Sequence, residues 1–211
     1  MTIVFDFGAV LFTWRPADLL RRHFPVRAAS APQAAELAQA VFSHADWHQF
    51  DRGVLAMDAV VTRTAARLGL APAALTRMME SIPDHLAPMQ DTLALLTQLR
   101  ALLEQQAQAS KLYFLSNMPA PYARALVQRH DFLQCFDGGV FSSEVALIKP
   151  EAEIYALIER RYALAPASTI FIDDNAANVH AAQARGWRGI RFESASQLQA
   201  ELAQHDLVLW P

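Results

Sequence analysis

The stretch Thr2-Ile3-Val4-Phe5-Asp6, followed by Phe7 and Gly8, decides the fold class. A short apolar run that stops at a carboxylate and a glycine is typical of a buried strand with the acid at its C-terminal end. In open parallel α/β sheets, ligands bind beyond the carboxyl ends of the strands. Asp6 is therefore predicted to lie at a binding edge, where a carboxylate can be a nucleophile, a metal ligand or both.

Other segments repeat this pattern along the chain. Strands are predicted at 2–6, 111–115, 139–141, 169–173 and 189–192, and helices at 93–106, 122–129, 151–162 and 176–185. Continuous apolar runs suit strands that are covered on both faces. Alternation of strands and helices implies right-handed crossovers. The sequence therefore predicts an α/β fold with a doubly wound parallel sheet.

The region between the first two strands has a different character. It carries helical patterns and no convincing strand, and Ala56 to Leu68 has apolar residues at helical spacing. Interruptions of these patterns are predicted at Pro25, Pro32, Gly53, Gly69-Leu70-Ala71-Pro72 and Pro83. We interpret residues 14–87, called the helical insert below, as a small all-helical cap domain. Residues 1–13 and 88–211 then form the core.

Composition excludes several classes of function. The chain has 211 residues, of which 53% are hydrophobic and 18% charged, so it can bury a large core. A net charge of −3 provides no strong field for nucleic acid or an anionic membrane. A single cysteine, Cys135, excludes an internal disulfide and suits a reducing compartment. Without a signal-like start or an apolar stretch of bilayer length, we expect a soluble cytoplasmic protein with no nucleic-acid or membrane partner.

Three further polar features follow predicted strands or the loops after them. Ser116-Asn117 ends the second strand, Lys149-Pro150 precedes a helix, and Asp173-Asp174 ends the fourth strand. Each alone has an ordinary explanation as turn chemistry, a solvated lysine before a helix-starting proline, or a helix cap. Together with Asp6 they are expected at one edge of the sheet. The set then supplies a nucleophile, hydroxyl and amide donors, a cation and Mg²⁺ ligands, as phosphoryl transfer requires.

In these residues the chain resembles the haloacid dehalogenase-like (HAD) hydrolase superfamily. Asp6 matches its nucleophile motif, Ser116 its second motif, Lys149 its third and Asp173-Asp174 its acidic fourth, in matching order and spacing over nearly the whole chain. The helical insert resembles the C1-type cap of that superfamily. With Asp51-Arg52-Gly53 in the insert, the pattern is most similar to the glucose-1-phosphate phosphatase-like group.

The resemblance implies a Mg²⁺-dependent phosphatase whose expected substrate is a small phosphate ester, specifically a sugar phosphate. Asp6 would attack phosphorus and form an aspartyl-phosphate that water then hydrolyses. Asp6, the Gly8 backbone carbonyl and Asp174 would hold Mg²⁺, a cation that prefers oxygen ligands. Asp173 would complete the metal site by orienting Lys149 or a metal-bound water.

The resemblance also implies which residues bind the phosphoryl group. Ser116, the Asn117 amide and Lys149 would hold its oxygens, and Gly8 would lie beside it. Lys149 would in addition act in catalysis by neutralising charge on the transferred group.

Gly8 departs from the pattern of most phosphatases in the superfamily. They carry a second aspartate at this position, as the acid for the leaving group and later as the base for water, and such help is worth about 10²–10⁴-fold. The glucose-1-phosphate phosphatase-like group shares the glycine, and an anomeric hydroxyl is a better leaving group than a simple alcohol. His44, His48 and Asp51 in the helical insert are candidate substitutes.

Two alternative functions stay open. A 2-haloacid dehalogenase attacks carbon through an aspartate without a metal. The resemblance argues against it, because those enzymes carry a tyrosine where Gly8 stands and because the adjacent acids Asp173-Asp174 favour a metal site. A non-catalytic phosphate-binding protein of the same fold is favoured only by the missing acid at Gly8. A requirement for Mg²⁺ and the release of product distinguish these possibilities.

Overall fold

The computed structural model describes residues 1–105, 110–205 and 207, and its centre is a parallel sheet with strand order β3-β2-β1-β4-β5. The strands are Thr2–Phe5 (β1), Lys111–Ser116 (β2), Gly138–Phe141 (β3), Thr169–Asp173 (β4) and Arg188–Arg191 (β5). Each predicted strand lies within one residue of an observed one at either end. The strand order reverses between β1 and β4, so the predicted doubly wound sheet is confirmed. Ligands bind at such a reversal.

The helical insert contains five helices and no strand, and all of its residues are described. The helices are Pro16–His23 (α1), Ala31–Phe42 (α2), Ala45–Asp51 (α3), Met57–Leu68 (α4) and Pro72–His85 (α5). The chain leaves and re-enters the core side by side. Thr13 donates its N–H to Ala87 over 2.8 Å, and Met89 donates to Leu11 over 2.8 Å. This paired crossing agrees with the boundaries drawn at 13/14 and 87/88, which stay a prediction.

The break between α1 and α2 ends at Pro32, which lies in the first turn of α2, where a backbone N–H would have no helical partner in any case. One predicted helix interruption is wrong. Pro83 lies inside α5. It lacks the N–H that would bond to the carbonyl of Met79 four residues earlier. The hydroxyl of Tyr122 donates to that carbonyl instead, over 2.9 Å, so α5 continues past the proline.

The core helices surround the sheet. They are Gln90–Gln105 (α6), Ala120–Arg129 (α7), Ser142–Val145 (α8), Ala152–Tyr162 (α9), Ala176–Ala184 (α10) and Ala195–Ala203 (α11). The prediction 93–106 corresponds to α6, and its last residue, Gln106, lies outside the described residues. Helix α11 was not predicted. Its sequence signal is Ser194, whose side chain accepts the N–H of Gln197 over 3.2 Å as an N-cap.

The two faces of the sheet bury different apolar clusters. Successive strand residues point to opposite faces, so Ile3 and Phe5 lie in one cluster and Val4 in the other. The first cluster continues from the sheet through α6 into the helical insert, where it includes Trp47 and Met78. The second is covered by α9 and α10. The helical insert and one face of the sheet therefore share a single core.

Candidate active site

A buried ion-pair network joins three predicted site residues. Asp6 lies directly beyond β1, and Asp173 ends the neighbouring β4. Lys149 Nζ lies 2.8 Å from Asp6 Oδ1 and 2.6 Å from Asp173 Oδ2. Burial alone would lower the pKa of Lys149, but Asp173 and Asp6 outweigh it and raise the pKa. The side chain is therefore a cation held between two carboxylates.

Asp6 lies at the strand end where a nucleophile is expected, and the pKa of its carboxyl group is raised. Burial raises the pKa of Asp6 to about 7, although Lys149 lowers it. The nearby carboxylates of Asp173 and Asp174 raise it further. A nucleophilic carboxylate must be ionised, so a divalent cation beside Asp6 would favour the reactive form.

Asp173 is fully occupied by hydrogen bonds within the protein. Its Oδ1 accepts the N–H of Asn175 over 2.8 Å, and both carboxylate oxygens accept from Asn178 Nδ2 over 3.0 Å. Its Oδ2 also accepts from Lys149 Nζ. These bonds suit the predicted role of orienting Lys149. Sequence reasoning did not single out Asn178, whose only signal is its place as a polar residue in the alanine-rich first turn of α10.

The acids at this edge of the sheet fit a magnesium site. One carboxylate oxygen each from Asp6, Asp173 and Asp174 lies within 4.8 Å of the others. Gly8 lines the same cavity as Asp6 and Asp174. An all-oxygen donor set is the kind that Mg²⁺ prefers. Asp174 is the most exposed of the three acids, and burial followed by the Asp173 charge raises its pKa. Asp6 and Asp174 are the carboxylates best placed to ligate.

The two residues at the end of β2 have different surroundings. The hydroxyl of Ser116 is buried and has no hydrogen-bond partner in the described part of the chain. Such a group costs free energy unless a ligand satisfies it, and a phosphoryl oxygen would do so. Asn117 uses its side chain within the protein. Its Oδ1 accepts the N–H of Lys149 over 2.8 Å, and its Nδ2 donates to the Lys149 carbonyl over 2.9 Å.

A cavity of about 280 Å³ lies over these residues. The core supplies a polar floor that includes Asp6, Gly8, Asn117, Lys149 and Asp174. The helical insert supplies a wall made of Trp14, Phe42, Trp47, Asp51, Ile82 and Leu86. Among the described residues of this wall, Asp51 alone is charged. The arrangement places a mostly apolar wall opposite the charged groups of the floor.

Asp51 reaches the cavity because the end of α3 is docked on the core. The hydroxyl of Ser142 donates to the Asp51 carbonyl over 2.5 Å and accepts the N–H of Met118 over 2.9 Å. Ser142 is fully buried at the start of α8, so this bridge is shielded from water. The bridge ties the helical insert to the ends of β2 and β3.

The next two residues strengthen this docking. Arg52 donates to the carbonyl of Ala146 over 3.3 Å and forms an ion pair with Glu151. Gly53 has a φ of +75°, and a Cβ at this position would lie 2.6 Å from the Ser143 carbonyl oxygen. Glycine therefore permits both the turn and the close approach of the two backbones.

Neither of the two histidines proposed as substitutes for the missing acid lines this cavity. His44 accepts the N–H of Asp46 on its Nδ1 over 3.1 Å, as the cap of α3. His48 is exposed and lines a neighbouring opening together with Arg52 and Glu151. Of the three candidates, Asp51 is the one that lines the cavity over Asp6.

Comparison with known proteins agrees with this site. The family model of the haloacid dehalogenase-like hydrolases matches residues 1–186. The chain belongs to this family. The superfamily resemblance seen in the sequence is thereby confirmed, and the chain is a HAD-family hydrolase. The narrower similarity to the glucose-1-phosphate phosphatase-like group stays a prediction.

A HAD-family relative with a named activity spans nearly the same length. The sesquiterpene phosphatase astK of Aspergillus oryzae is 27% identical over 201 residues, which cover 95% of this chain and 94% of that protein.

Two solved structures show the same HAD fold. One is a HAD family enzyme of Bacteroides thetaiotaomicron in complex with magnesium and inorganic phosphate, with a TM-score of 0.69 and 18% identity, covering 93% of this chain and 98% of that one. The other is the L-2-haloacid dehalogenase of Xanthobacter autotrophicus, with a TM-score of 0.65 and 24% identity. The match covers 98% of this chain and 84% of that one. Since a likeness in fold does not fix the reaction, the residues of the site must decide between a phosphatase and a dehalogenase.

Proposed function

We propose that this HAD hydrolase is a Mg²⁺-dependent phosphatase that forms an aspartyl-phosphate on Asp6. The observation that carries the proposal is the buried contact of 2.8 Å between Asp6 and Lys149 on the floor of a cavity that Asp174 also lines. Both reactions use an aspartate nucleophile, but phosphoryl transfer also needs a metal cation beside the transferred group. The carboxylates of Asp173 and Asp174 beside Asp6 support the second chemistry.

Each site residue has a role in this reaction. Asp6 attacks phosphorus, and Lys149 and Ser116 bind phosphoryl oxygens, with Asp173 holding Lys149 in place. Bound Mg²⁺, held by Asp6, the Gly8 carbonyl and Asp174, would neutralise charge on the phosphate. Asn117 fixes the backbone of Lys149 and so acts as a positioning residue.

The cavity supports a substrate whose organic group is mainly apolar. Sugar hydroxyls need hydrogen-bond partners, but the wall of the helical insert presents rings and aliphatic groups, among them Trp14, Phe42 and Ile82. The relative astK is named as a sesquiterpene phosphatase, and a sesquiterpene skeleton is a hydrocarbon. The sugar phosphate expected from the resemblance stays a prediction that the same assay tests.

The location of the protein is a separate question. No helix in the described part of the chain is long and apolar enough to cross a bilayer. The cytoplasmic location expected from the single cysteine stays a prediction. The expected partner is a small-molecule phosphate ester.

The test is phosphate release from three esters, with and without Mg²⁺. Farnesyl monophosphate and decyl phosphate represent apolar groups, and glucose 1-phosphate represents sugars. We expect Mg²⁺-dependent release with a higher kcat/KM for the apolar esters. Asp6→Asn should abolish it, whereas Asp18→Asn, which changes an exposed carboxylate of α1, should not.

Other outcomes would contradict specific parts of the proposal. A preference for glucose 1-phosphate would overturn the apolar substrate class and leave the reaction intact. Chloride release from 2-chloropropionate without Mg²⁺ would establish the dehalogenase. Binding of Mg²⁺ and inorganic phosphate without turnover of any ester would establish a non-catalytic binding protein.

A further inference from the structure

We infer that Asp51, contributed by the helical insert, is the catalytic residue that transfers the proton in both steps of the reaction. It would protonate the departing oxygen as a carboxylic acid and activate water as a carboxylate. This inference rests on the phosphatase function proposed above. It supplies the group that Gly8 lacks.

The surroundings of the Asp51 side chain distinguish it from a structural aspartate. The residue is 8% exposed and lines the cavity over Asp6. Its carboxyl makes no hydrogen bond or ion pair with any described residue, including the acids of the metal site. Buried carboxyl groups ordinarily have partners, so one without them has its polar atoms available to a ligand. At Gly8, a Cβ would meet no atom of the described residues beyond its chain neighbours within 4 Å, so the space beside this residue is open.

Elimination of the other ionisable groups leads to the same residue. Lys149 is bound between two carboxylates, Asp6 is the nucleophile, and Asp174 is a metal-site residue. The hydroxyl of Tyr122 donates to a backbone carbonyl. Of the ionisable described residues that line the cavity, Asp51 is the one without another task.

The protonation state of Asp51 suits this role. Burial raises the pKa of Asp51 to about 8; Lys149 lowers it, and Asp6 raises it again. Tyr122 from α7 also faces the carboxyl, and His48 shares the neighbouring opening with it. A carboxyl group that keeps its proton at neutral pH can donate it to an alkoxide, and general acids work best when their pKa lies near the working pH.

The position of Asp51 is fixed by the core. Ser142 holds its carbonyl, and the next residue, Arg52, is held by Ala146 and Glu151. An acid that works in catalysis must be held within hydrogen-bond reach of the departing oxygen. Docking of α3 on the core supplies that constraint from across the cavity.

Bonds and protons balance over the two steps of the proposed reaction. In the first, an Asp6 oxygen bonds to phosphorus, the bond from phosphorus to the ester oxygen breaks, and the Asp51 proton moves to that oxygen, so that an alcohol leaves. In the second, water attacks phosphorus, the bond to Asp6 breaks, and the Asp51 carboxylate takes a proton from the water. Inorganic phosphate is released, and both carboxyl groups return to their starting states.

The experiment compares two esters in Asp51→Asn. Decyl phosphate has a poor leaving group that needs the proton, whereas 4-nitrophenyl phosphate releases a stable anion without it. We expect kcat/KM for decyl phosphate to fall about 10²–10⁴-fold. The burst of nitrophenolate should fall less than about tenfold, and aspartyl-phosphate should accumulate because the second step lacks its base. Asp46→Asn on the same helix removes a carboxylate that pairs with Arg63 and should change neither rate.

A purely structural role for Asp51 would give a different pattern. Equal losses on both esters, or no loss on decyl phosphate, would overturn the inference. Binding of Mg²⁺ with inorganic phosphate verifies that the variant is folded.

A series of aryl and alkyl phosphates tests proton transfer to the leaving group in the unchanged protein, without a variant. A shallow dependence of kcat/KM on leaving-group acidity supports proton transfer, and a steep dependence contradicts it. Lack of activity on every ester would overturn the proposed function and this inference together.

Discussion

Asn117 holds Lys149 by its backbone: the Asn117 side chain accepts the Lys149 N–H over 2.8 Å and donates to the Lys149 carbonyl over 2.9 Å. The ammonium group of the same lysine is held by Asp6 and Asp173. Backbone and side chain of Lys149 are thus fixed by different strands. The loop before α9 cannot move away from the end of β2 without breaking this pair of hydrogen bonds.

Asn117→Ala should therefore reduce both activity and stability. Loss of the paired hydrogen bonds should cost about 1–3 kcal/mol of unfolding free energy, because buried backbone groups lose their partner. Displacement of Lys149 should lower kcat/KM about 10–100-fold, as small misplacements in active sites do. Denaturant unfolding and steady-state kinetics measure the two effects. Gln33→Ala removes a side-chain bond to the Ser30 N–H at the exposed start of α2 and should leave kcat/KM unchanged. An Asn117→Ala enzyme with normal kcat/KM would contradict the positioning role.

A pair of glycines tests the docking of the helical insert. Gly53 and Gly69 both have positive φ, but a Cβ at Gly53 would lie 2.6 Å from the Ser143 carbonyl oxygen, whereas a Cβ at Gly69 would make only an ordinary contact of 3.9 Å with Arg27 Nη1. Gly69→Ala should cost about 1–2 kcal/mol for the backbone conformation alone. Gly53→Ala should cost about 1–3 kcal/mol more from the clash and should lower kcat/KM, because Asp51 would shift. Equal effects of the two substitutions on kcat/KM would argue that the docking does not position Asp51.

Tyr122 and Pro83 should be coupled in stability. Tyr122→Phe leaves the Met79 carbonyl without its donor and should cost about 1–3 kcal/mol. In a Pro83→Ala background, the new N–H of residue 83 can form the helical bond to Met79, so the same substitution should cost much less. A double-mutant cycle by urea unfolding measures the coupling. Additive effects would show that the hydroxyl does not replace the missing helical donor.

Asp51 should make stability depend on pH. Its pKa in the folded protein, about 8, lies above the ordinary value of 3.8, so between these values the folded state binds more protons than the unfolded state. Stability is therefore lost as pH rises through this window. Asp51→Asn removes the effect and should stabilise the protein by about 5 kcal/mol at pH 8, with little change near pH 4, since each unit of pKa is worth about 1.4 kcal/mol. Denaturant unfolding of both proteins at pH 4 and pH 8 measures this stabilisation. A stabilisation that does not grow with pH would contradict the raised pKa of Asp51.

The core of the fold could be predicted from the sequence because its signals are local. Apolar runs such as Thr2–Phe5 and Thr169–Asp173 mark their own strands, and parallel strands bring their carboxyl ends to one edge. This predicted that Asp6, Lys149 and Asp173 would meet. The helix interruption predicted at Pro83 was wrong because Tyr122, which donates the hydrogen bond that the proline cannot, lies 39 positions away in the sequence.

Other parts of the site depend on contacts that no local pattern contains. His44, His48 and Asp51 could not be separated by sequence, because helical spacing alone does not say which end of α3 meets the core. Ser142, 91 positions from Asp51, decides this by bonding to its carbonyl. The apolar wall could not be predicted for the same reason, since its members come from several helices and from the connections around them.

The apolar cluster that runs from Ile3 and Phe5 through α6 to Trp47 has a consequence for how this enzyme can change. The floor and the wall of the cavity pack on one shared apolar core, so the helical insert cannot be exchanged for that of a relative without disturbing the sheet. A transplanted insert from a relative would meet a sheet face and an α6 surface shaped for other side chains, and mismatched packing costs several kcal/mol. New substrate preferences would therefore arise through single replacements at lining positions such as Phe42 or Leu86, while the shared interior is kept.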